Sequence, residues 1–244
     1  MKKLILLCFI GLFASSCAKR QEAPCITQKM VAPTYKPVQK EVAQKSKPKS
    51  ANPSTIRICL DPGHGGEAHG AKLIIAPEIK EKMLNLKTAQ LVDEFLTMWG
   101  YKTIKTRSRD IDVPLLDRVA IAKKEKCDLF ISIHYNSTPQ PTKAHGVDVY
   151  YFCKVKDARS IDSKALARCI YNRMPPNCRG ARRGVKSGDL AVIRETTMPA
   201  VLVEAGFLSN PEEAKKIKNP HYLRFIGWSI AKGISDFVEK KQSK

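Results

Sequence analysis

Three side chains that can bind a metal or move a proton each follow an apolar run in this 244-residue chain. His64 comes after "ICLDPG", His134 after "DLFISI" and Glu204 after "AVLV". Apolar runs of this length are typical of buried strands, and function in parallel sheets gathers where strands end. Two histidines and a glutamate at one sheet edge therefore predict a metal site with an adjacent base.

A carboxylate at the start of a helical segment supplies a third metal ligand. Glu81 opens the segment "EKMLNLKTAQLVDEFLTMWG". Two histidines and one glutamate around a single zinc ion leave the fourth tetrahedral position open for water, as in catalytic zinc sites. Glu204 then remains as the base. Glu78 competes with Glu81 for the ligand role, because it lies three residues earlier in the chain.

The glycine-rich stretch "ICLDPGHGGEAHG" raises the choice between a metal loop and a phosphate loop. The phosphate-loop pattern fails because Ala71 occupies the position of the required lysine, and the dinucleotide pattern fails because position 68 is not glycine. His64 is therefore interpreted as a metal ligand. The remaining histidines lack a strand to position them and are predicted to be surface or structural residues: His69, His145 and His221.

Strand-like and helical segments alternate from residue 56 onward. The predicted strands are "TIRICLD", "YKTIKT", "CDLFISIHYN", "GVDVYYF", "LAVI" and "AVLVEAG". The predicted helices are "EKMLNLKTAQLVDEFLTMWG", "VPLLDRVAIAKKE", "SIDSKALARCIYNRM", "NPEEAKKI" and "HYLRFIGWSIAKGISDFVEKK". This order predicts an α/β fold of three layers, with a twisted, mostly parallel sheet covered by helices on both faces.

The first 55 residues have a different composition. Residues 1–17 begin with two lysines and an apolar stretch too short to span a bilayer, which predicts a signal peptide. The stretch ends in "ASSC", which resembles a lipobox and predicts lipidation of Cys17; an ordinary secretory signal is the alternative. Residues 18–55 are basic and rich in proline and lysine, so we predict a disordered linker before a catalytic domain at 56–244.

The net charge of +20 extends into the domain, where residues 56–244 carry +12. A basic domain favours an anionic partner. We expect an acidic cell-wall polymer or anionic lipid rather than nucleic acid, because an exported chain does not meet nucleic acid and no nucleic-acid-binding signature is present.

The cysteines give no zinc-ribbon spacing. Cys59, Cys127 and Cys153 lie in apolar runs, which favours buried thiols. Cys169 and Cys178 either pair in an oxidising envelope or remain free, and the sequence leaves both options open.

Ordered segments through the domain resemble the zinc-dependent N-acetylmuramoyl-L-alanine amidases of the type 3 family. The matching pieces are "DPGHGG", "EKMLNL", "TRSRDIDVPLLDRVAIA", "ISIHYNS", "GVDVYY" and "RGVKSGDLAVIRETTMPAVLVEAGFLSNPEEA". The resemblance runs from Ile56 to about Phe237. One departure is Ala68-His69, where the family usually has Asp-Pro.

The resemblance implies that one zinc ion is held by His64, Glu81 and His134, with Glu204 as the catalytic residue. The implied reaction is hydrolysis of the amide bond between N-acetylmuramic acid and L-alanine in peptidoglycan, for wall remodelling or septum splitting. We expect the enzyme to work as a monomer in the periplasm or cell envelope. Further expected roles are orientation of a ligand histidine by Asp61, and contacts to substrate by Asn136, Arg182, Arg183 and Lys186. The alternatives are a ligand-orienting role for Asn136 and a solvated basic surface for the three cations. Arg107 and Arg118 either pair within the fold or contact substrate.

Two other functions compete with this interpretation. "SIAK", from Ser229 to Lys232, and "KSG", from Lys186, resemble motifs of penicillin-binding serine carboxypeptidases, but their order along the chain is reversed. The third hypothesis is a non-catalytic wall-binding protein, which the complete set of four site residues disfavours.

Overall fold

The computed structural model describes residues 55–155, 157–180 and 183–243. The predicted signal peptide, Cys17, the linker up to residue 54, and Arg182 lie outside the described residues. The described strands are β1 (Arg57–Pro62), β2 (Lys72–Leu73), β3 (Ala76–Lys80), β4 (Lys102–Lys105), β5 (Leu129–Asn136), β6 (Asp148–Tyr151), β7 (Gly184–Ser187) and β8 (Ala200–Phe207). The described helices are α1 (Glu81–Met98), α2 (Leu115–Lys124), α3 (Ala158–Arg173), α4 (Ala191–Arg194), α5 (Pro211–Ile217) and α6 (Pro220–Gln242).

Six strands form one sheet in the order β4-β1-β5-β8-β6-β7. The first four are parallel, β6 is antiparallel to β8, and β7 is parallel to β6. The carboxyl ends of β1, β5 and β8 therefore meet at one edge. The predicted mostly parallel sheet is confirmed, and β2 and β3 form a separate hairpin.

Helices cover both faces because side chains alternate along each buried strand. In β1, Ile58 and Leu60 face a large core with α1, α3 and α6, whereas Cys59 faces a smaller core with α2 and α4. The three-layer α/β class is thus confirmed. None of the helices in the described ranges is long and apolar enough to cross a membrane.

Helix ends follow the local sequence. α1 stops at Trp99, and Gly100 then takes a φ of 90°, a conformation that glycine adopts at little cost. The side chains of Asn210 and Asn219 accept backbone N–H groups at the starts of α5 and α6, and both helices have proline in their first turn.

Two predictions about local structure are wrong. "LAVI" forms the short helix α4 rather than a strand, and the neighbouring strand is β7, just before it. Cys153 is exposed rather than buried, because it follows the end of β6. Of the two options that the sequence leaves open for Cys169 and Cys178, the structure has the free thiols, and the Cys178 sulfur lies 3.2 Å from the Tyr222 hydroxyl.

Candidate active site

Three different elements deliver the predicted metal ligands to one place. His64 lies in the loop after β1, Glu81 is the first residue of α1, and His134 lies near the end of β5. β1 and β5 are adjacent and parallel, so their ends lie side by side. The hairpin of β2 and β3 then returns the chain so that α1 begins at the same edge.

The ligand atoms converge closely. Glu81 Oε2 lies 3.2 Å from His64 Nε2, and Glu81 Oε1 lies 3.0 Å from His134 Nδ1. One ligand atom from each of the three residues lies within 4.8 Å of the others. Two imidazoles and a carboxylate match the donor set of catalytic zinc sites, so the residues fit the predicted ion.

Backbone groups fix the Glu81 carboxylate between the histidines. The N–H of Ala71 donates to Oε2 at 2.9 Å, and the N–H of Tyr135 donates to Oε1 at 3.2 Å. Burial alone would raise the pKa of Glu81, but its hydrogen bonds and charge interactions with His134 and His64 lower that pKa well below its ordinary value. The carboxylate is therefore ionised and ready to bind a cation.

Two glycines leave the space that the ligand side chains occupy. A Cβ at Gly63 would overlap the imidazole ring of His134. A Cβ at Gly70 would lie 2.5 Å from Glu81 Oε2 and 2.7 Å from His64 Cδ2. Gly63 and Gly70 are thus required because ligand side chains fill the space beside them, and Gly70 also has a positive φ of 65°.

Gly63→Ala is expected to displace the ring of His134. Zinc affinity should fall by more than about 10-fold, because substitutions around a metal ligand lower the metal affinity by about 10- to 100-fold. Competition with a chromophoric chelator measures this affinity. A folded Gly63→Ala protein with wild-type zinc affinity would show that His134 does not need its observed position.

Glu204 lies beside this cluster on β8. Its Cα is paired with that of His134 across β5 and β8, and the register shifts just beyond this pair. Gly206, with a φ of 139°, lies in the irregular part of β8. Irregular pairing of this kind is common next to active sites because it redirects a side chain.

The environment of Glu204 suits a base. Burial, together with the negative charges of Glu81 and Asp148, raises its pKa to about 7 despite the opposing charge of His134. Its Oε2 is buried and has no hydrogen-bond partner within the described part of the chain. A buried oxygen without a partner is rare in proteins and is available to accept a proton.

Asp61 has a different role from the one predicted. Its carboxylate is buried and accepts from Thr106 Oγ1 and Ser132 Oγ, both at 2.7 Å, and from Arg118 Nη1 at 2.9 Å. No histidine ring nitrogen of residues 55–155, 157–180 or 183–243 donates to it. Asp61 therefore supports the metal loop through Arg118 rather than orienting a ligand imidazole directly.

Of the residues predicted to contact substrate, the structure describes Asn136, Arg183 and Lys186 but not Arg182. Arg183 Nη1 lies 2.6 Å and Lys186 Nζ 2.9 Å from the buried carboxylate of Asp148, which is paired with Glu204 across β6 and β8. These two cations therefore have a structural partner beside the site. Asn136 ends β5 at the same edge, and its contact with substrate, like that of Arg182, stays a prediction.

The other candidate ligands do not join the cluster. Glu78 is exposed on β3, whereas Glu81 is buried at the start of α1. The His69 ring contacts the carbonyl of Gly66 at 3.1 Å. His145 is exposed, as is His221 at the start of α6, in agreement with their predicted surface or structural roles.

A cleft of about 300 Å³ opens beside His64 and His134. Charged side chains, among them Asp112 and Arg118, line part of this cleft. The apolar part of its walls comes from residues at the starts of α2 and α4: Val113, Pro114, Leu115, Leu190, Ala191 and Val192. Sequence reasoning missed these walls, because "LAVI" was interpreted as a strand and "VPLL" only as a helix start. The cleft thus lies directly beside the two histidines of the metal cluster.

The serine-peptidase motif does not form a site. Ser229 is completely buried in α6, and its hydroxyl donates to the carbonyl of Phe225 at 2.9 Å. Lys232 is paired with Asp236 at 3.0 Å on the same helix. A nucleophilic serine needs both a base and access to substrate, and Ser229 has neither.

Ser229→Ala is therefore expected to leave amide hydrolysis unchanged and to remove no carboxypeptidase activity. Product analysis on defined muropeptides measures both reactions. Loss of D-alanine release in this variant, with amidase activity retained, would instead assign a second reaction to Ser229.

Comparison with known families agrees with this geometry. The sequence model of the N-acetylmuramoyl-L-alanine amidase family matches residues 58–236, which include all four central site residues. This chain belongs to that family. The predicted family and enzyme class are thereby confirmed, and peptidoglycan is the substrate class of the amidase.

Individual relatives support the assignment. The amidase is 36% identical over 189 residues to an endolysin of Bacillus phage SPP1, covering 76% of this chain and 67% of the endolysin. It is 31% identical to the germination-specific N-acetylmuramoyl-L-alanine amidase of Bacillus subtilis, covering 75% and 80% of the two chains. It spans only 36% to 60% of several longer relatives named as cell wall amidases.

A solved structure agrees with the fold. The catalytic domain of CwlV, an N-acetylmuramoyl-L-alanine amidase from Bacillus (Paenibacillus) polymyxa var. colistinus, superimposes with a TM-score of 0.67 at 33% identity. The match covers 75% of the amidase and 97% of the CwlV domain.

Proposed function

We propose that this amidase uses one zinc ion to hydrolyse the bond between the lactyl group of N-acetylmuramic acid and L-alanine. The observation that carries the proposal is the convergence of three candidate ligand atoms within 4.8 Å, beside a glutamate whose buried oxygen has no hydrogen-bond partner among the described residues. His64, Glu81 and His134 would hold the ion. A zinc ion in such a site polarises a carbonyl and lowers the pKa of bound water toward about 7.

Glu204 acts as the proton carrier. It accepts a proton from the attacking water as the water oxygen bonds to the lactyl carbonyl carbon. It then delivers that proton to the alanine nitrogen as the carbon–nitrogen bond breaks. The products are a lactyl carboxylate on the glycan and a stem peptide with a free amino terminus. The raised pKa of Glu204, about 7, suits a group that both accepts and donates a proton near neutral pH.

Cations near Glu204 bind the acidic groups of the stem peptide. Arg183 and Lys186 flank Asp148, and guanidinium groups form paired hydrogen bonds with carboxylates. Asn136, at the end of β5, extends this binding surface, and contact of Arg182 with substrate is proposed from the sequence alone. Arg183 and Lys186 thus combine a structural ion pair with a positive potential that attracts an anionic polymer.

Mass spectrometry of products from defined muropeptides tests the proposed bond specificity. The expected products are an intact disaccharide ending in a lactyl carboxylate and a peptide beginning with free L-alanine. Cleavage within the peptide or between the sugars, with the lactyl–alanine bond intact, would contradict the proposal.

The cellular setting follows from the amino-terminal sequence. The chain is exported to the periplasm or cell envelope and anchored there through a lipid on Cys17. Residues 18–55 link the anchor to the catalytic domain. The amidase works as a monomer in wall remodelling or septum splitting. A flexible glycine-rich linker reaches roughly 5–6 Å times the square root of its length on average, and linkers rich in proline or in like charges are more extended.

Cys17→Ser is expected to move the amidase from the membrane fraction to the soluble exported fraction without changing its catalytic domain. Cell fractionation with immunodetection measures this shift. Membrane association that persists in Cys17→Ser would contradict lipid anchoring at this residue.

A further inference from the structure

The backbone of the metal ligand His64 has an unusual conformation. Its φ is 60°, in the left-handed region that residues with a Cβ rarely adopt. Strained backbone at a functional residue persists only where the surroundings enforce it. The contacts that hold this loop therefore contribute to the placement of the imidazole.

Two buried arginines bind three consecutive carbonyls of this loop. The carbonyl of Pro62 accepts from Arg107 Nε at 2.9 Å and from Arg118 Nη1 at 2.8 Å. The carbonyl of Gly63 accepts from Arg107 Nη2 at 2.9 Å, and that of His64 accepts from Arg118 Nη2 at 2.8 Å. Both side chains are almost completely buried.

The same arginines connect the loop to the other ligand-bearing segments. Arg107 Nη2 also donates to the carbonyl of Lys82, the residue after Glu81, at 2.8 Å. Arg118 pairs with Asp61, which also accepts from Ser132, two residues before His134. The network thus reaches the segments of all three metal ligands.

The arrangement carries an electrostatic cost. Burial and the neighbouring charge of Arg118 lower the pKa of Arg107 from its ordinary value. Arg107 is not within ion-pairing distance of any carboxylate in the described ranges, so the carbonyl groups supply its partners. Two adjacent buried cations are costly unless they are paired and hydrogen-bonded, so the carboxylate of Asp61 and the carbonyls of the metal loop are needed to keep Arg118 and Arg107 in place.

We infer that Arg107 and Arg118 are positioning residues that hold His64 in its left-handed conformation, so that its ring faces Glu81 and His134 before the metal binds. This inference rests on the metal site proposed above. Lysine keeps the charge but loses the planar fork that reaches two carbonyls at once. Arg118→Lys and Arg107→Lys are therefore expected to raise the zinc Kd by about 10- to 100-fold.

The test uses the full chain, with zinc affinity measured by chelator competition and coordination geometry measured from the visible absorption of bound Co²⁺. Arg179→Lys is the matched control, because Arg179 also donates to two backbone carbonyls, those of Met174 and Asn172, at the end of α3. Thermal unfolding of the metal-free variants shows whether each one folds.

Raised zinc Kd and an altered Co²⁺ spectrum in folded Arg118→Lys or Arg107→Lys, with Arg179→Lys unchanged, would support positioning. Wild-type Kd and spectrum in the folded variants would overturn it while leaving the proposed function intact. Failure of both variants to fold would also overturn it, since the arginines would then serve the fold. A wild-type chain that binds no zinc would overturn both proposals.

Discussion

Glu204→Gln is expected to lower kcat for amide hydrolysis by about 10²- to 10⁴-fold, the usual contribution of a positioned proton carrier. The amide has nearly the same shape as the carboxylate but accepts no proton from water. Because Glu204 is not among the three clustered ligand residues, the variant should still bind one zinc ion. Steady-state kinetics and metal analysis of the same preparation measure the two effects separately.

Glu195→Gln is the control for this experiment, because Glu195 is exposed in the segment before β8. It should retain wild-type kcat. A Glu204→Gln enzyme with kcat within a few-fold of wild type would remove Glu204 from the proton transfer. Joint loss of zinc and activity would assign Glu204 to metal binding instead.

Glu81→Gln is expected to weaken zinc binding by more than about 100-fold, beyond the usual effect of residues that only surround a metal ligand. The carboxylate is the group that both ligand histidines contact, and two backbone N–H groups fix it in place. A neutral amide there removes the only negative charge among the three ligand residues. Amide hydrolysis should fall in parallel and recover in part at high zinc concentration.

Glu78→Gln is the matched control, because sequence reasoning left Glu78 as a competing ligand and the structure places it exposed on β3. Its zinc affinity and activity should equal those of the wild type. Equal zinc loss in the two variants would mean that both carboxylates are needed. Loss in Glu78→Gln alone would reverse the ligand assignment.

Much of the site could be predicted because strand ends carry a strong signal. His134 and Glu204 each follow a long apolar run, and these runs became β5 and β8, which are adjacent and parallel. The competition between Glu78 and Glu81 could not be decided by spacing alone. It depends on where α1 begins, which is set by the hairpin of β2 and β3 that sequence reasoning did not predict.

Features that depend on tertiary packing were harder to predict. "LAVI" is a short apolar run, and such runs fit a buried helix turn as well as a strand. Orientation of a ligand histidine is the role that the family resemblance predicts for Asp61, but its carboxylate contacts Thr106, Ser132 and Arg118. The hydrogen bonds of Arg118 join segments more than 50 residues apart, and sequence spacing gives no information on such contacts.

Zinc titration of the metal-free enzyme, with release of stem peptide followed by mass spectrometry, tests the central claim most directly. Three ligands from one chain converge on a single position, so activity is expected to rise linearly and stop at one zinc ion per chain. The peptide released should begin with free L-alanine throughout the titration. Full activity of the metal-free enzyme in excess chelator, or activity that rises only beyond one equivalent, would contradict a single zinc ion held by His64, Glu81 and His134.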